Sequence, residues 1–140
     1  MILYAESSAV AAWLLLEDRA PAIRATLSEA EAVMASDLTL LESDRALRRA
    51  VEFGRITEAE AMTRRGAFSR AAAGWSWMRL APEILERARA AFPLEPVRSL
   101  DALHLASALA ALAAVRRLTM LSIDERVRRN AKALGLAVAP

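Results

Sequence analysis

Short apolar runs alternate with helix-length segments along this chain. Ile2 to Ala5 is apolar throughout and predicts a buried strand. Ser7 and Ser8 are placed to cap a helix that starts near Ala9 and carries AVAAWLLL. A second helix is predicted within EDRAPAIRATLSEA, with Pro21 near its first turn. Ala32 to Ala35 predicts a second strand. Ser36 then caps a helix through Leu40, Leu41 and RALRRAVEF, ending around Gly54. Thr57 with Glu60 three residues on makes a capping-box pattern and opens a helix to about Ala73.

Gly74 breaks that pattern. Trp75 to Leu80 alternates large apolar residues and predicts a strand, and Pro82 starts the helix PEILERARAAF. PLEPVRS, with two prolines, is a loop. Ser99 caps the long helix LDALHLASALAALAAV, with Asp101 in its first turn. Arg117 to Ile123 is a strand, Asp124 leads into the helix ERVRRNAKAL, and Gly135 is its C-cap. Leu136 to Ala139 is the last strand. Strands separated by helices imply βαβ units. The expected architecture is a single α/β domain over residues 1–140, with a mostly parallel sheet and helices on both faces.

Composition narrows the chemistry. Hydrophobic residues make up 56% of the chain, which excludes disorder, although Ala, roughly a quarter of the residues, inflates the figure. The absence of Cys excludes a disulfide scaffold, a Cys-based zinc site and a thiol nucleophile. A single histidine, His104, excludes a His-rich metal site within one chain. The net charge is +2 with a pI near 9.9, and Lys132 is the only Lys. Arg grips phosphate in a bidentate fork, so the bias fits RNA contact; a GC-rich coding bias explains it equally well. The longest apolar stretch, Ala102 to Val115, falls short of the ~20 residues that span a bilayer. The N-terminus has no basic segment before Glu6, unlike a signal peptide, and a cytoplasmic protein is expected.

Ligands of an open parallel sheet bind where the carboxyl ends of the strands collect. Glu6 ends the first strand, and Asp124 follows the RLTMLSI strand with Ser122 two residues before it. Asp101 opens the long helix at the same edge, and Glu42 lies about six residues past the second strand, within reach of it. Each has a plain structural use. Asp101 suits a helix dipole, Asp124 an N-cap, and Glu42 a pair with Arg45 or Arg49. Those uses do not explain why all four gather at one edge. Clustered carboxylates suit a hard divalent cation, Mg²⁺ or Mn²⁺, and such an ion activates water against a phosphodiester.

Taken together, ILYAESSAVAAWLL, ASDLTLLESDRALRRA, RSLDALHLASALA and LTMLSIDERVRRNAKALGL resemble a PIN-domain protein, more narrowly a VapC-type toxin of a toxin–antitoxin pair. The resemblance spans nearly the whole chain, and DALHLA followed by a strand and S-x-D is its strongest part. It implies catalytic roles for Glu6, Glu42, Asp101 and Asp124, and Mg²⁺ or Mn²⁺ held by Glu6, Asp101 and Asp124. Ser7 and Ser122 would support them. It also implies endonucleolytic RNA cleavage, a homodimer, and a cognate VapB-type antitoxin that inserts a peptide across the site. The family's first acid is normally Asp. Glu6 adds a methylene that moves its carboxylate by roughly 1.5 Å, against the strict octahedral geometry of Mg²⁺. A catalytically impaired domain that only binds RNA or its antitoxin is therefore the competing expectation. A receiver-type signalling domain is disfavoured, because the middle strand ends Leu80-Ala81-Pro82 without an acid and Lys132 lies inside a helix.

Arg45, Arg48 and Arg49 share one helical face and are expected to hold RNA phosphates, with Arg64, Arg65 and Arg70 following in the next helix. His104 is expected to be a satisfied helix histidine, and Trp13, Trp75 and Trp77 core or interface residues.

Overall fold

The computed structural model describes residues 1–140. Its elements are β1 (Ile2–Ala5), α1 (Ser7–Leu14), α2 (Ala20–Glu29), β2 (Ala32–Ser36), α3 (Asp37–Glu52) and α4 (Glu58–Ala72). There follow β3 (Ser76–Met78), α5 (Pro82–Arg89), α6 (Ser99–Ala114), β4 (Thr119–Leu121), α7 (Glu125–Ala133) and β5 (Ala137–Ala139). The five strands form one sheet in the order β3-β2-β1-β4-β5, and every pairing is parallel. The mostly parallel sheet expected from sequence is thus wholly parallel. No helix is long and apolar enough to cross a membrane.

Period-two alternation explains why the strands are apolar on both faces. Leu3 and Ala5 of β1 join Val33, Ala35 and Leu121 in one core with Val10 of α1, Ile23 of α2, Leu47 of α3 and Phe68 of α4. Tyr4 of β1 and Met120 of β4 face the other side, against Ala102, Leu105 and Ala108 of α6 and Val127 of α7. Helices cover both faces, as expected. Small residues let α6 sit close to the sheet, and its Ala-rich stripe is buried for that reason.

The chain leaves β1 toward β2 and β3, then crosses back to place β4 on the other side of β1. The switch point therefore lies between the carboxyl ends of β1 and β4, where such sheets bind ligands. Ala5 is opposite Leu121 there, and the Glu6 amide donates to the Leu121 carbonyl at 3.0 Å. The Thr39 hydroxyl of α3 donates to the Ala5 carbonyl at 2.9 Å, which ties the Glu42 helix to the same point.

Several local signals act as read. Ser36 caps α3, Thr57 and Glu60 form a complete capping box on α4, and Gly135 takes φ +87° after α7. Others differ. The α1 cap is Glu6, in place of Ser7 or Ser8, because the helix starts at Ser7 and the Glu6 side chain reaches the Ser8 amide. Ser99 lies inside α6, whose N-cap residue, Arg98, makes no side-chain cap. The strand foreseen over Trp75–Leu80 shortens to Ser76–Met78, since β3 is an edge strand and pairs only with Met34 to Ser36. Trp75 and Trp77 pack on Phe68 at 5.7 and 6.3 Å between ring centroids, with Trp13 on it at 6.2 Å. The helix from Pro82 stops at Arg89, because Ala90 turns to extended backbone; Phe92 is buried under the Arg87 guanidinium.

Leu47 is fully buried between α3 and the sheet. Leu47→Ala is expected to lower unfolding free energy by about 2–5 kcal/mol, read as a shift of the urea midpoint at constant slope.

Candidate active site at the acidic strand edge

All four acids singled out from sequence lie at the carboxyl edge of β1, β2 and β4, but they are used in two different ways. Glu6 is only 4% exposed. A buried carboxylate must be matched by donors. Its Oε1 accepts from the Ser8 amide at 3.0 Å, and its Oε2 accepts from the Ser122 hydroxyl at 2.7 Å and from the Ser8 hydroxyl. The Ser8 hydroxyl oxygen accepts in turn from the amides of Ile123 and Asp124, at 3.1 and 3.2 Å. Glu6 thereby joins the β1–α1 turn to the β4–α7 turn.

Glu42 belongs to a second network. His104, buried on α6, lies with Nε2 2.7 Å from Glu42 Oε1 and 2.8 Å from the Ser7 hydroxyl. Ser7 also donates to Glu42 Oε1 at 2.8 Å. The other ring nitrogen, Nδ1, is 3.0 Å from the Tyr4 hydroxyl. A carboxylate only accepts, so Nε2 carries the proton toward Glu42. Burial pushes the Tyr4 phenol well above its ordinary value, which keeps it a neutral partner. His104 is therefore a satisfied histidine, and fully buried. Its Nε2 is also 3.9 Å from Glu6 Oε1, so it stands between the two networks. Burial works to raise the Glu42 carboxyl, but the hydrogen bonds from His104 and Ser7 and the charges of His104 and Arg49 outweigh it. The net shift is downward.

Asp101, in the first turn of α6, and Asp124, the N-cap of α7, share one cation. Arg98 Nε is 3.2 Å from Asp101 Oδ2, and its Nη2 is 3.6 Å from Asp124 Oδ2. The Arg98 guanidinium is held charged by its hydrogen bond to Asp101 and the charge of Asp101, then by the charges of Asp124 and Glu42. Asp124 also accepts from the Arg126 amide at 2.9 Å and pairs with the Arg126 guanidinium at 3.5 Å. Burial would raise the Asp124 carboxyl; these Arg126 contacts and the Val127 amide lower it on balance. Arg98 was not foreseen from sequence. Its place at the residue before α6, three positions from Asp101, was the available signal.

No three His, Asp or Glu side chains converge to hold a metal ion in this arrangement. The donor chemistry nonetheless fits a hard cation. Asp101 and Asp124 already bracket a positive group, and Glu42 adds to the same field. Glu6, expected among the ligands, has its carboxylate oxygens on the Ser8 and Ser122 donors.

Of the expected RNA-binding arginines, Arg48 pairs with Glu58 at 2.6 Å and Glu52 at 3.6 Å. Arg45 and Arg49 are exposed without an ion pair, and Arg49 lies near enough to act on Glu42. Arg65 pairs with Asp44, and Arg64 with Glu60.

No protein-family model and no curated protein matches this sequence. Solved structures do. The fold is similar to that of VapC20 of Mycobacterium tuberculosis, a sarcin–ricin loop cleaving toxin, with TM-score 0.69 and 17% identity over 99% of each chain. It is similar to VapBC2 of Rickettsia felis, solved with a promoter DNA fragment, with TM-score 0.62 and 10% identity over 99% of this chain and 97% of that one. A domain of a protein of unknown function from Methanocaldococcus jannaschii matches at TM-score 0.53 and 14% identity, covering 98% of this chain and 88% of that one. The PIN-domain fold expected from the sequence is the fold found. Likeness at such identities speaks for the backbone, and the chemistry rests on the residues.

Two outcomes follow from the networks. His104→Leu takes the His104 partner from the buried Tyr4 hydroxyl and leaves Glu42 with Ser7 alone, and is expected to cost about 1–3 kcal/mol, measured by urea unfolding. Glu42 and Asp124 have depressed folded values, so their stabilisation is complete above their ordinary values of 4.5 and 3.8 and fades as pH falls through the folded ones. Ser7→Ala is expected to move the Glu42 midpoint upward in a carboxyl-carbon NMR titration.

Proposed function

We propose that this chain is a metal-dependent endoribonuclease that serves as the toxin of a toxin–antitoxin pair. The observation that carries the proposal is the bracketing of a cation by Asp101 and Asp124 at the switch point of a PIN fold. The likeness to the two VapC structures supports it, as does the VapBC2 complex for a VapB-type antitoxin partner. A homodimer and a cytoplasmic location belong to the same proposal.

Asp101 and Asp124 would hold Mg²⁺ or Mn²⁺, with Glu42 bounding the same field. When bound, such an ion supplies charge neutralisation of the phosphate and lowers the pKa of water. The chain's own residues do the rest. Arg98 spans the two Asp side chains, so an ion held there would compete with this guanidinium, which would then be available to a phosphate. Glu42, held by His104 and Ser7, has its orientation fixed on α3 and accepts a proton at Oε2, the oxygen those two residues leave free. Glu6 is a positioning residue. It pins Ser122 and, through Ser8, the Asp124 backbone. Arg45 and Arg49, exposed and without an ion pair, would hold flanking phosphates.

One observation favours a second function. The occupied oxygens of Glu6 leave the expected ligand set one carboxylate short, which suits a domain that binds RNA or its partner without cutting.

The test is cleavage of a panel of structured RNAs by antitoxin-free protein, with Mg²⁺, with Mn²⁺ and with EDTA. Cutting is expected with either metal and not with EDTA. Loss of a group that only orients a metal ligand costs about 10–100-fold, so Asp101→Asn is expected to lower the rate by more than that. A folded protein that binds RNA and cuts none of the panel would establish the second function instead.

A further inference from the structure

Beside Asp101 a cavity of about 540 Å³ opens between the loop preceding α6 and the exposed face of α7. Leu105 of α6 forms part of its lining, and Arg98, Arg126 and Arg129 bring three guanidinium groups to it. Its size falls in the ligand-pocket range of about 300–1,000 Å³.

The walls are built. Asn130 of α7, only 3% exposed, clamps the loop from both sides: its Oδ1 accepts from the Leu94 amide and its Nδ2 donates to the Leu94 carbonyl, each at 3.0 Å. Glu95 turns its carboxylate into its own loop, accepting from the amides of Phe92 and Val97 at 3.1 and 2.7 Å. Those amides offset part of the charge of the one acid on the loop side. Asp101 is engaged by Arg98. Arg126 holds Asp124 only at 3.5 Å, and Arg129, one turn further along α7, makes no ion pair. The pocket thus combines a rigid, partly apolar wall with cations that have spare donors, next to carboxylates that would otherwise repel a phosphate strand.

We propose that this cavity is the subsite for the RNA nucleotide adjoining the scissile phosphate. Arg126 and Arg129 grip its phosphate, and its base lies against the apolar side of the loop formed by Leu94 and Val97. The proposal rests on the RNA substrate of the preceding reading. It differs from that reading in its residues, because it moves the main RNA contact from the α3 arginines to α7. Arg126 and Arg129 recur at i and i+3, so one helix face carries both.

The experiment is anisotropy of a fluorescein-labelled RNA in EDTA, where no cutting occurs, across a salt series. The full chain is compared with Arg129→Ala and with Arg24→Ala, an exposed arginine on α2 across the sheet. Arg129→Ala is expected to weaken binding about 5–10-fold and to lower the salt slope by about one unit, with Arg24→Ala unchanged. Arg129 makes no hydrogen bond or ion pair, and a thermal melt confirms the variant is folded. Equal binding by the two variants would overturn the proposal. So would inorganic phosphate competing as well as a mononucleotide, which would mark a plain anion site. With metal added, RNA binding that depends on Arg129 but never leads to cutting overturns the nuclease reading and leaves the cavity as an RNA-nucleotide site with no scissile phosphate beside it. Cutting with binding and KM unmoved in Arg129→Ala overturns the subsite alone.

Discussion

A carboxylate buried at the sheet's switch point is the constraint on which the rest of the site depends. Glu6 follows β1 directly and is almost wholly removed from water. An ionised group there is tolerated only when donors surround it. The Ser8 amide, the Ser8 hydroxyl and the Ser122 hydroxyl meet that need, and they come from both turns that flank the central strand pair. Satisfying one side chain therefore sets the relative position of α1 and α7. It also sets where Asp124 stands, since the Asp124 amide donates to Ser8 and Ser122 hydroxyl oxygens at 3.2 and 3.1 Å.

Around that fixed point the remaining acids divide by partner. Glu42 draws on the His104 ring and the Ser7 hydroxyl, while Asp101 and Asp124 draw on an exposed guanidinium, Arg98. A buried histidine held by tyrosine on one nitrogen and carboxylate on the other has little freedom to rotate. Arg98, by contrast, has an exposed side chain and two contacts above 3 Å. Exposed pairs of this kind contribute little to stability. The buried Glu6 and His104 networks and the exposed Arg98 pairs are thus distinct parts of one edge.

The sequence disclosed what is set by neighbours a few residues apart. Ser36, Thr57 with Glu60, Pro82 and Gly135 mark element ends because capping and turn geometry are local. The convergence of Glu6, Glu42, Asp101 and Asp124 on one edge was legible too, because strand ends of a parallel sheet have a known side. What was hidden depends on long-range contact. Nothing near Glu6 announces that Ser122 will take its oxygens, 116 residues away. The role of Arg48 was missed because Glu58 lies across a helix junction and occupies it. Arg126 and Arg129 read as ordinary members of a charged helix until the clamped loop before α6 closed a cavity over them. The edge strand β3 shortened because its ends lack a partner, which alternation alone does not reveal.

The proposed function puts Mg²⁺ or Mn²⁺ between Asp101 and Asp124, where Arg98 stands as the resident charge. Calorimetric titration of Mn²⁺ into the RNA-free protein tests it most directly. The account predicts saturable binding that is lost in Asp101→Asn and tightened in Arg98→Ala, where the competing guanidinium is gone. Absence of binding in both the parent chain and Arg98→Ala, with the protein folded, would contradict it.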